Sequence, residues 1–104
     1  MKIVSDNEEF LKEIETRFKK ERVKVTSVKV PADVTDKGIV EDIIQLIVEN
    51  PDESQVVIEY VLDELTSLYK QEHINVIKKD GMKISYAEYK MMSDEEKSKE
   101  IFSV

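Results

Sequence analysis

The residues able to carry chemistry are few, and their spacing matches no catalytic set. His73 is the single histidine, it lies beside Glu72, and the chain contains no cysteine. A nucleophilic triad needs a nucleophile, a base and an orienting acid held in a defined geometry, which adjacency in sequence does not provide. A lone histidine just after a helix is more often a capping or surface group. We therefore expect no enzymatic activity and no catalytic residue.

Two adjacent acidic pairs, Glu41 with Asp42 and Asp63 with Glu64, are the nearest approach to a metal-binding pattern. Protein metal sites usually combine carboxylates with further ligands at characteristic spacings, and no such series or histidine pair occurs. A phosphate-binding loop needs a cluster of glycines, and the chain has only 2 glycines. The simplest interpretation of the acidic pairs is a solvated surface, so we expect neither a metal nor a cofactor.

Acidic residues are concentrated in the middle of the chain. The net charge is -7, and residues 35–72 contain ten acids and two bases, whereas the segments on either side are close to neutral. Nucleic-acid binding draws most of its affinity from neutralised phosphates, so we expect no direct nucleic-acid binding. The pattern predicts contact with a protein partner that has a basic surface. The candidate partner-binding residues are Glu41, Asp42, Glu59, Asp63 and Glu64.

A helical hairpin over residues 35–72 is the element predicted to carry these acids. Apolar residues recur at helical spacing over 39–48 and again over 56–69. Between them, Asn50-Pro51 interrupts the first helix, and Asn50 with Glu53 forms a capping-box pattern that starts the second. The many β-branched residues in the first segment also suit a strand, and a kink at the proline is an alternative to a turn.

The N-terminal third predicts a strand, a helix and a second strand. Residues 2–4 form a short apolar start, and Ser5 with Glu8 or Asp6 with Glu9 is a capping-box pattern. The helix that follows should end near residue 20 and bury Phe10, Leu11, Ile14 and Phe18. Valines then alternate over 22–30, but they change from odd to even positions at Thr26-Ser27, where a bulge would restore the phase.

The C-terminal third predicts a β-hairpin and a terminal helix. Strands over 73–78 and 82–86 flank Lys79-Asp80-Gly81, and a three-residue loop pairs Val76 with Ile84 on one apolar face. Residues 86–91 fit either the second strand or a short helix capped by Ser85. A clearer capping box, Ser93 with Glu96, starts a last helix that is expected to dock through Ile101 and Phe102.

The expected architecture is a single α+β domain over residues 1–104. Its small mixed or antiparallel sheet has about four strands, with the helices mainly on one face and the acidic helical hairpin at the centre. No apolar stretch reaches the ~20 residues of a membrane span, so we expect no membrane association and a cytoplasmic location. The favoured function is a small binding or regulatory protein. The alternative is a homo-oligomeric structural or accessory protein, with a nucleic-acid mimic or a small enzyme as more remote options.

Overall fold

The computed structural model describes residues 1–34 and 40–102, together with their side chains except those of residues 32–34 and 40–42. Within these ranges the chain forms five strands and four α-helices, and it ends in a π-helical turn at Ser98–Phe102. In chain order they are β1 (Lys2–Val4), α1 (Glu8–Lys20), β2 (Val25–Val34), β3 (Val40–Val48), α2 (Gln55–Leu68), β4 (Asn75–Ile77), β5 (Lys83–Ser85), α3 (Tyr86–Met91) and α4 (Asp94–Lys97).

The five strands form one sheet in the order β2-β3-β1-β4-β5, and every neighbouring pair is antiparallel. The helices lie mainly on one face of this sheet, and α1 packs against α2. The α+β class and the one-sided arrangement of helices are therefore confirmed, with one strand more than expected. The order from β1 to β4 is the β-α-β-β-α-β arrangement of ferredoxin-like folds, which by itself specifies no function.

The core lies between the sheet and α1 and α2. The four predicted apolar residues of α1 are all buried in it, together with Ile58, Val61, Leu62 and Leu65 of α2. The start of α1 differs from the prediction, because Asn7 is the N-cap and its side chain accepts hydrogen bonds from the backbone of Glu9 and Phe10. No helix in the described ranges is long and apolar enough to cross a lipid bilayer.

The first helix of the predicted hairpin is wrong, because residues 40–48 form strand β3. This strand pairs with β2 on one side and with β1 on the other. Its apolar residues serve both faces: Ile44, Leu46 and Val48 contact the core, whereas Ile43 and Ile47 point to the opposite face. In a strand that is apolar on both faces, apolar and polar residues no longer alternate, so the sequence pattern resembles that of a helix. The second helix exists, but it begins at Gln55 after a turn and packs on α1.

The predicted bulge at Thr26-Ser27 is also wrong. The pairing of β2 with β3 runs without interruption from Val25 opposite Val48 to Pro31 opposite Asp42, and the register shifts only between Pro31 and Val34. Thus Val25 lies on one face of a regular strand and Val28 and Val30 lie on the other, whereas Val23 precedes the strand. Because β2 is an edge strand, it can include Pro31, whose missing N–H would interrupt a central strand.

The β4–β5 hairpin agrees with the sequence in register and loop. Val76 lies opposite Ile84, and the Lys78 N–H donates to the Met82 carbonyl at 2.8 Å. Gly81 has a φ of +91°, the left-handed conformation expected at the third loop position. After β5 the chain enters helix α3 at Tyr86, so the open question over residues 86–91 is resolved as a helix capped by Ser85.

The last predicted helix begins as expected and docks through the expected residues. Ser93 and Glu96 form a complete capping box at the start of α4, and the π-helical turn that follows buries Ile101 and Phe102. Phe102 lies against Tyr89 of α3, with ring centroids 6.3 Å apart. The C-terminal elements thereby complete the helical side of the molecule.

Candidate functional site

The face of the sheet opposite the helices is lined by aliphatic side chains, and we call it the open face. The pairing registers place six aliphatic residues on it, Val4, Val28, Val30, Ile43, Ile47 and Ile77, and they alternate with six polar ones, Lys2, Thr26, Gln45, Asn75, Lys83 and Ser85. None of these residues belongs to the core beneath the helices. Among the aliphatic residues, Val4 is buried by its neighbours at the centre, the others are partly exposed, and Ile43 is the most exposed at 39%. The open face is therefore a partly apolar surface that none of the described helices covers.

Two side-chain amides interrupt the aliphatic surface near its centre. Gln45 lies opposite Val28, and Asn75 lies opposite Val4, so the two amides occupy the same row across the sheet. Both side chains are partly buried. Among the described residues, neither side chain has a hydrogen-bond partner. Each amide carries donors and an acceptor, so a surface covering the open face would have to satisfy them.

The described charges on the open face are few and positive. Lys2 and Lys83 flank Ile77 in one row at the end of the face, and both are exposed. Among the residues whose side chains are described, the strand positions of this face hold no acid and no aromatic ring. Single-stranded nucleic acids bind sheets through stacked aromatic side chains and basic grooves. The chemistry of the open face therefore suits an apolar protein surface.

The predicted acidic residues of α2 lie on the helical side, and two of them share intramolecular cations. Oε1 of Glu59 lies 3.2 Å from the ammonium of Lys90 and 3.3 Å from that of Lys97. Asp63 accepts a second contact from Lys90 at 3.2 Å and a 2.6 Å hydrogen bond from the hydroxyl of Tyr86. These contacts attach α3 and α4 to α2.

Glu59 is the most buried acid of this group, with 14% of its side chain exposed. Burial raises its pKa, but hydrogen bonds from neighbouring donors, including Lys90 and Lys97, outweigh that effect. The pKa of Glu59 consequently lies below the usual glutamate value. The carboxylate is charged at neutral pH and is already neutralised by its own chain.

Glu64 of α2 forms a separate ion pair with Arg17 of α1. Its carboxylate accepts two hydrogen bonds from the guanidinium of Arg17, at 2.9 Å and 3.3 Å, and so joins α1 to α2. Asp63 remains half-exposed, at 51%. Glu41 and Asp42 belong to β3 rather than to a helix, and their side chains lie outside the described part. The structure therefore brings Glu59 and Asp63 together and places Glu64 at a separate contact.

His73 lines an open hollow of about 380 Å³ between the end of α2 and the β4–β5 hairpin. The nearby polar groups are already engaged: Glu72 accepts a hydrogen bond from Asn7, and the hydroxyl of Ser85 caps α3. No arrangement of nucleophile, base and orienting acid is formed there. In the described ranges, no group of three or more His, Asp or Glu residues is placed to hold a metal ion.

The residues of the open face were not identified as a site from the sequence. Two sequence patterns indicated a second apolar face. The valines around β2 change from odd to even positions without a bulge, and residues 39–48 form an apolar run. Both patterns arise from strands with two apolar faces. Assigning the second face requires the strand order, which the sequence did not provide.

Comparison with known proteins gives no match to a family model, to a curated protein or to a solved structure.

Proposed function

We propose that this chain is a non-enzymatic protein-binding module that docks through the open face of its sheet. The observation that carries the proposal is the group of aliphatic side chains on a face that none of the described helices covers. An antiparallel sheet with one face in water normally alternates apolar and polar residues, and the outer positions are then polar. Here six of the ten outer positions that the pairing registers give for β2, β3, β1 and β4 are Val or Ile. Exposed groups of apolar side chains are typical of interaction sites.

The two central amides give such a surface a means of selecting its partner. An apolar partner surface that left Gln45 and Asn75 without hydrogen bonds would lose free energy for each unpaired group. A partner with matching amide, hydroxyl or backbone groups at the centre would satisfy them. The aliphatic side chains thus provide affinity, and the amides restrict which protein fits.

The test compares two variants in a binding experiment. The open-face variant carries Val30→Thr, Ile43→Thr and Ile47→Thr, which keep β-branched residues in the strands but add hydroxyls. The control carries Val56→Gln and Leu68→Gln, two highly exposed apolar positions on α2. Both variants should retain the wild-type circular dichroism spectrum.

Each protein is immobilised and exposed to an extract of its source cells, and the bound proteins are quantified by mass spectrometry. We expect at least one protein, including this chain itself, to be retained by the wild type and the control but lost from the open-face variant. The purified protein should then reproduce the difference. If every retained protein binds the open-face variant as well as the wild type, the proposal is wrong.

A second candidate is contact with a basic protein partner through Glu41, Asp42, Glu59, Asp63 and Glu64. It is supported by the net charge of -7 and by the half-exposed carboxylate of Asp63. Its weak point is that Glu59 and Glu64 are already paired with cations of the same chain.

The second candidate predicts a salt dependence. Binding to a basic partner should weaken by roughly tenfold when ionic strength is raised from low to physiological values. Replacing Glu41, Asp42, Asp63 and Glu64 together with their amides should have a similar effect, whereas the open-face variant should not. Binding that is insensitive to both salt and these replacements would exclude this candidate.

A further inference from the structure

We propose that the outer edge of β2 binds an extended, acidic segment of a protein partner, which adds a strand to the sheet. This surface is the edge of the sheet and is independent of the open face. β2 is the outermost strand, and it pairs with β3 over seven consecutive residues, Val25 to Pro31. None of the described strands pairs with its outer edge. The opposite edge strand, β5, has only three residues and offers little to pair with.

The backbone groups of β2 alternate between its two edges. In an antiparallel pair, each strand bonds to its neighbour through every second residue, and the residues in between direct their N–H and C=O groups away from that neighbour. The N–H of Glu49 donates to the carbonyl of Lys24 at 2.9 Å, so the even-numbered residues of β2 bond to β3. The N–H groups of Val25, Ser27 and Lys29 therefore point to the outer edge.

The outward groups at the middle of this edge are accessible to a partner. Ser27 and Lys29 are exposed, and among the described residues no backbone hydrogen bond reaches the N–H of either one. Another extended chain satisfies such a row, because it offers carbonyls and N–H groups at the same alternate spacing. Pro31 has no N–H, so the row of donors ends at Lys29.

The charges beside this edge indicate an acidic partner. Residues 22–31 hold three cations, Arg22, Lys24 and Lys29, and no acid, although the net charge of the chain is -7. All three side chains are exposed, and none forms an ion pair with a described acid. Lys24 and Lys29 differ in parity, so they project from opposite faces of the sheet. A strand added to this edge would lie beside a cation on either face, which favours acidic side chains.

The same cations count against a second copy of this chain as the occupant. Two copies of β2 placed edge to edge would bring the cations of both copies together, and residues 22–31 supply no acid to offset them. Lysine at the edge of a sheet is one of the means by which proteins prevent such self-pairing. An acidic strand makes the same lysines favourable neighbours.

The probe is a heptapeptide with blocked ends, in which four valines alternate with glutamate, threonine and glutamate. Placed antiparallel to β2, its three polar residues exchange hydrogen bonds with Lys29, Ser27 and Val25, and one glutamate lies directly opposite Lys29. Its valines lie on the other face, beside Val28 and Val30. We expect a dissociation constant of about 0.1–1 mM, because a single short strand makes a small contact.

The first experiment measures hydrogen exchange of the backbone amides by NMR while the peptide is added to about 2 mM. Exchange at Ser27 and Lys29 should slow by about threefold or more. Exchange at Thr26 and Val28 should not change, because their N–H groups already bond to β3. A peptide N-methylated at its three polar residues should not bind, since it lacks the donors directed at β2. A peptide N-methylated at its two inner valines is the matched control and should bind.

The second experiment changes the edge itself. Ser27→Pro removes an outward N–H but no bond to β3, as Pro31 does at an equivalent position, so the variant should fold and bind the peptide at least about tenfold more weakly. Its control, Ser27→Ala, keeps the N–H and should remain within about twofold of the wild type. Lys29→Glu should weaken binding at least about fivefold, whereas Lys83→Glu, an equal change of net charge away from this edge, should not. Circular dichroism establishes that all four variants are folded.

Unchanged exchange at Ser27 and Lys29 with about 2 mM peptide would overturn this inference, and so would equal slowing at Thr26 and Val28. It is also wrong if Ser27→Pro binds the peptide as well as the wild type, or if a peptide with lysines in place of the glutamates binds equally well. A wild type that dimerises, and that loses this dimerisation in Ser27→Pro, would replace the acidic partner by a second copy. The proposed function fails separately, because the open-face variant keeps every backbone donor of β2 and should bind the peptide like the wild type.

Discussion

Replacing Lys97 with methionine is expected to destabilise the protein, although the substitution removes no apolar contact of the side-chain stem. Lys97 is 5% exposed, its ammonium lies 3.3 Å from Glu59, and it lies 4.7 Å from the centroid of the Tyr89 ring. Methionine keeps a flexible stem of similar length and removes the charge. The change in stability therefore reports the electrostatic contacts rather than a new cavity.

The expected loss is about 1–2 kcal/mol. A hydrogen bond to a charged group contributes about 1.5–3 kcal/mol, and a desolvated cation–π contact adds up to about 2 kcal/mol. Burying the ammonium costs several kcal/mol, which offsets part of these gains, and the methionine variant does not have this cost. Glu59 also keeps Lys90 and the Tyr89 hydroxyl, each at 3.2 Å, so no uncompensated charge is left.

The assay is urea unfolding followed by circular dichroism, with wild type, Lys97→Met, Glu59→Gln and the double variant forming a cycle. The coupling energy between the two residues should be about 1 kcal/mol. A loss of 1–2 kcal/mol should appear as a fall in Tm of about 4–15 °C. The control is Lys19→Met, which removes a surface pair with Glu15 and should cost no more than about 0.5 kcal/mol.

The opposite result would also be informative. If Lys97→Met is as stable as the wild type or more stable, the cost of burying the ammonium exceeds the gain from its contacts. A coupling energy near zero would mean that Glu59 is held by Lys90 alone. Either result would refute the view that this ion pair attaches α4 to α2.

Three further changes test the fold. Folding lowers the pKa of Glu59, so the stabilisation from its carboxylate is present above the unfolded pKa of about 4.5 and is lost as pH falls. In wild type, the free energy of unfolding should therefore decline between about pH 5 and 3. Glu59→Gln should make this decline shallower. Burial, followed by the hydrogen bond to Asp63, raises the pKa of Tyr86, so stability should fall above about pH 10 as the unfolded state ionises. Tyr86→Phe should cost about 1–2 kcal/mol at pH 7 and reduce that alkaline decline, as measured by urea unfolding from pH 8 to 11. Gly81→Ala should lower the free energy of urea unfolding by about 1 kcal/mol through backbone strain alone, since an added Cβ would meet no atom within 4 Å.

Local signals in the sequence were sufficient for several elements. The apolar stripe of α1, the three-residue loop ending at Gly81 and the capping box of Ser93 with Glu96 each depend on residues close together in the chain. Their conformations therefore follow from turn, cap and periodicity rules. The N-cap of α1 was missed because Asn7 competes with Ser5 and Asp6 as a neighbouring cap residue.

Non-local features could not be predicted in the same way. The apolar residues of β3 serve two faces and so follow helical spacing, and only pairing with β1 and β2 fixes the segment as a strand. The open face depends on the same pairing and was missed with it. The acidic residues of α2 were recognised, but their partners, such as Arg17 and Lys90, come from other elements. Their role in binding stays a prediction.

The central position of β1 has a consequence for how the chain folds. The β2–β3 and β4–β5 pairs are hairpins of neighbouring strands, and such hairpins form within about 1–10 µs. Among the described strands, β1 alone lies between the two hairpins, with Lys2 opposite Ile47 on one side and opposite Ile77 on the other. Both contacts close long loops, which slows folding relative to local pairing. We therefore expect the three residues of β1 to control the folding rate, because without them the sheet is two separate hairpins.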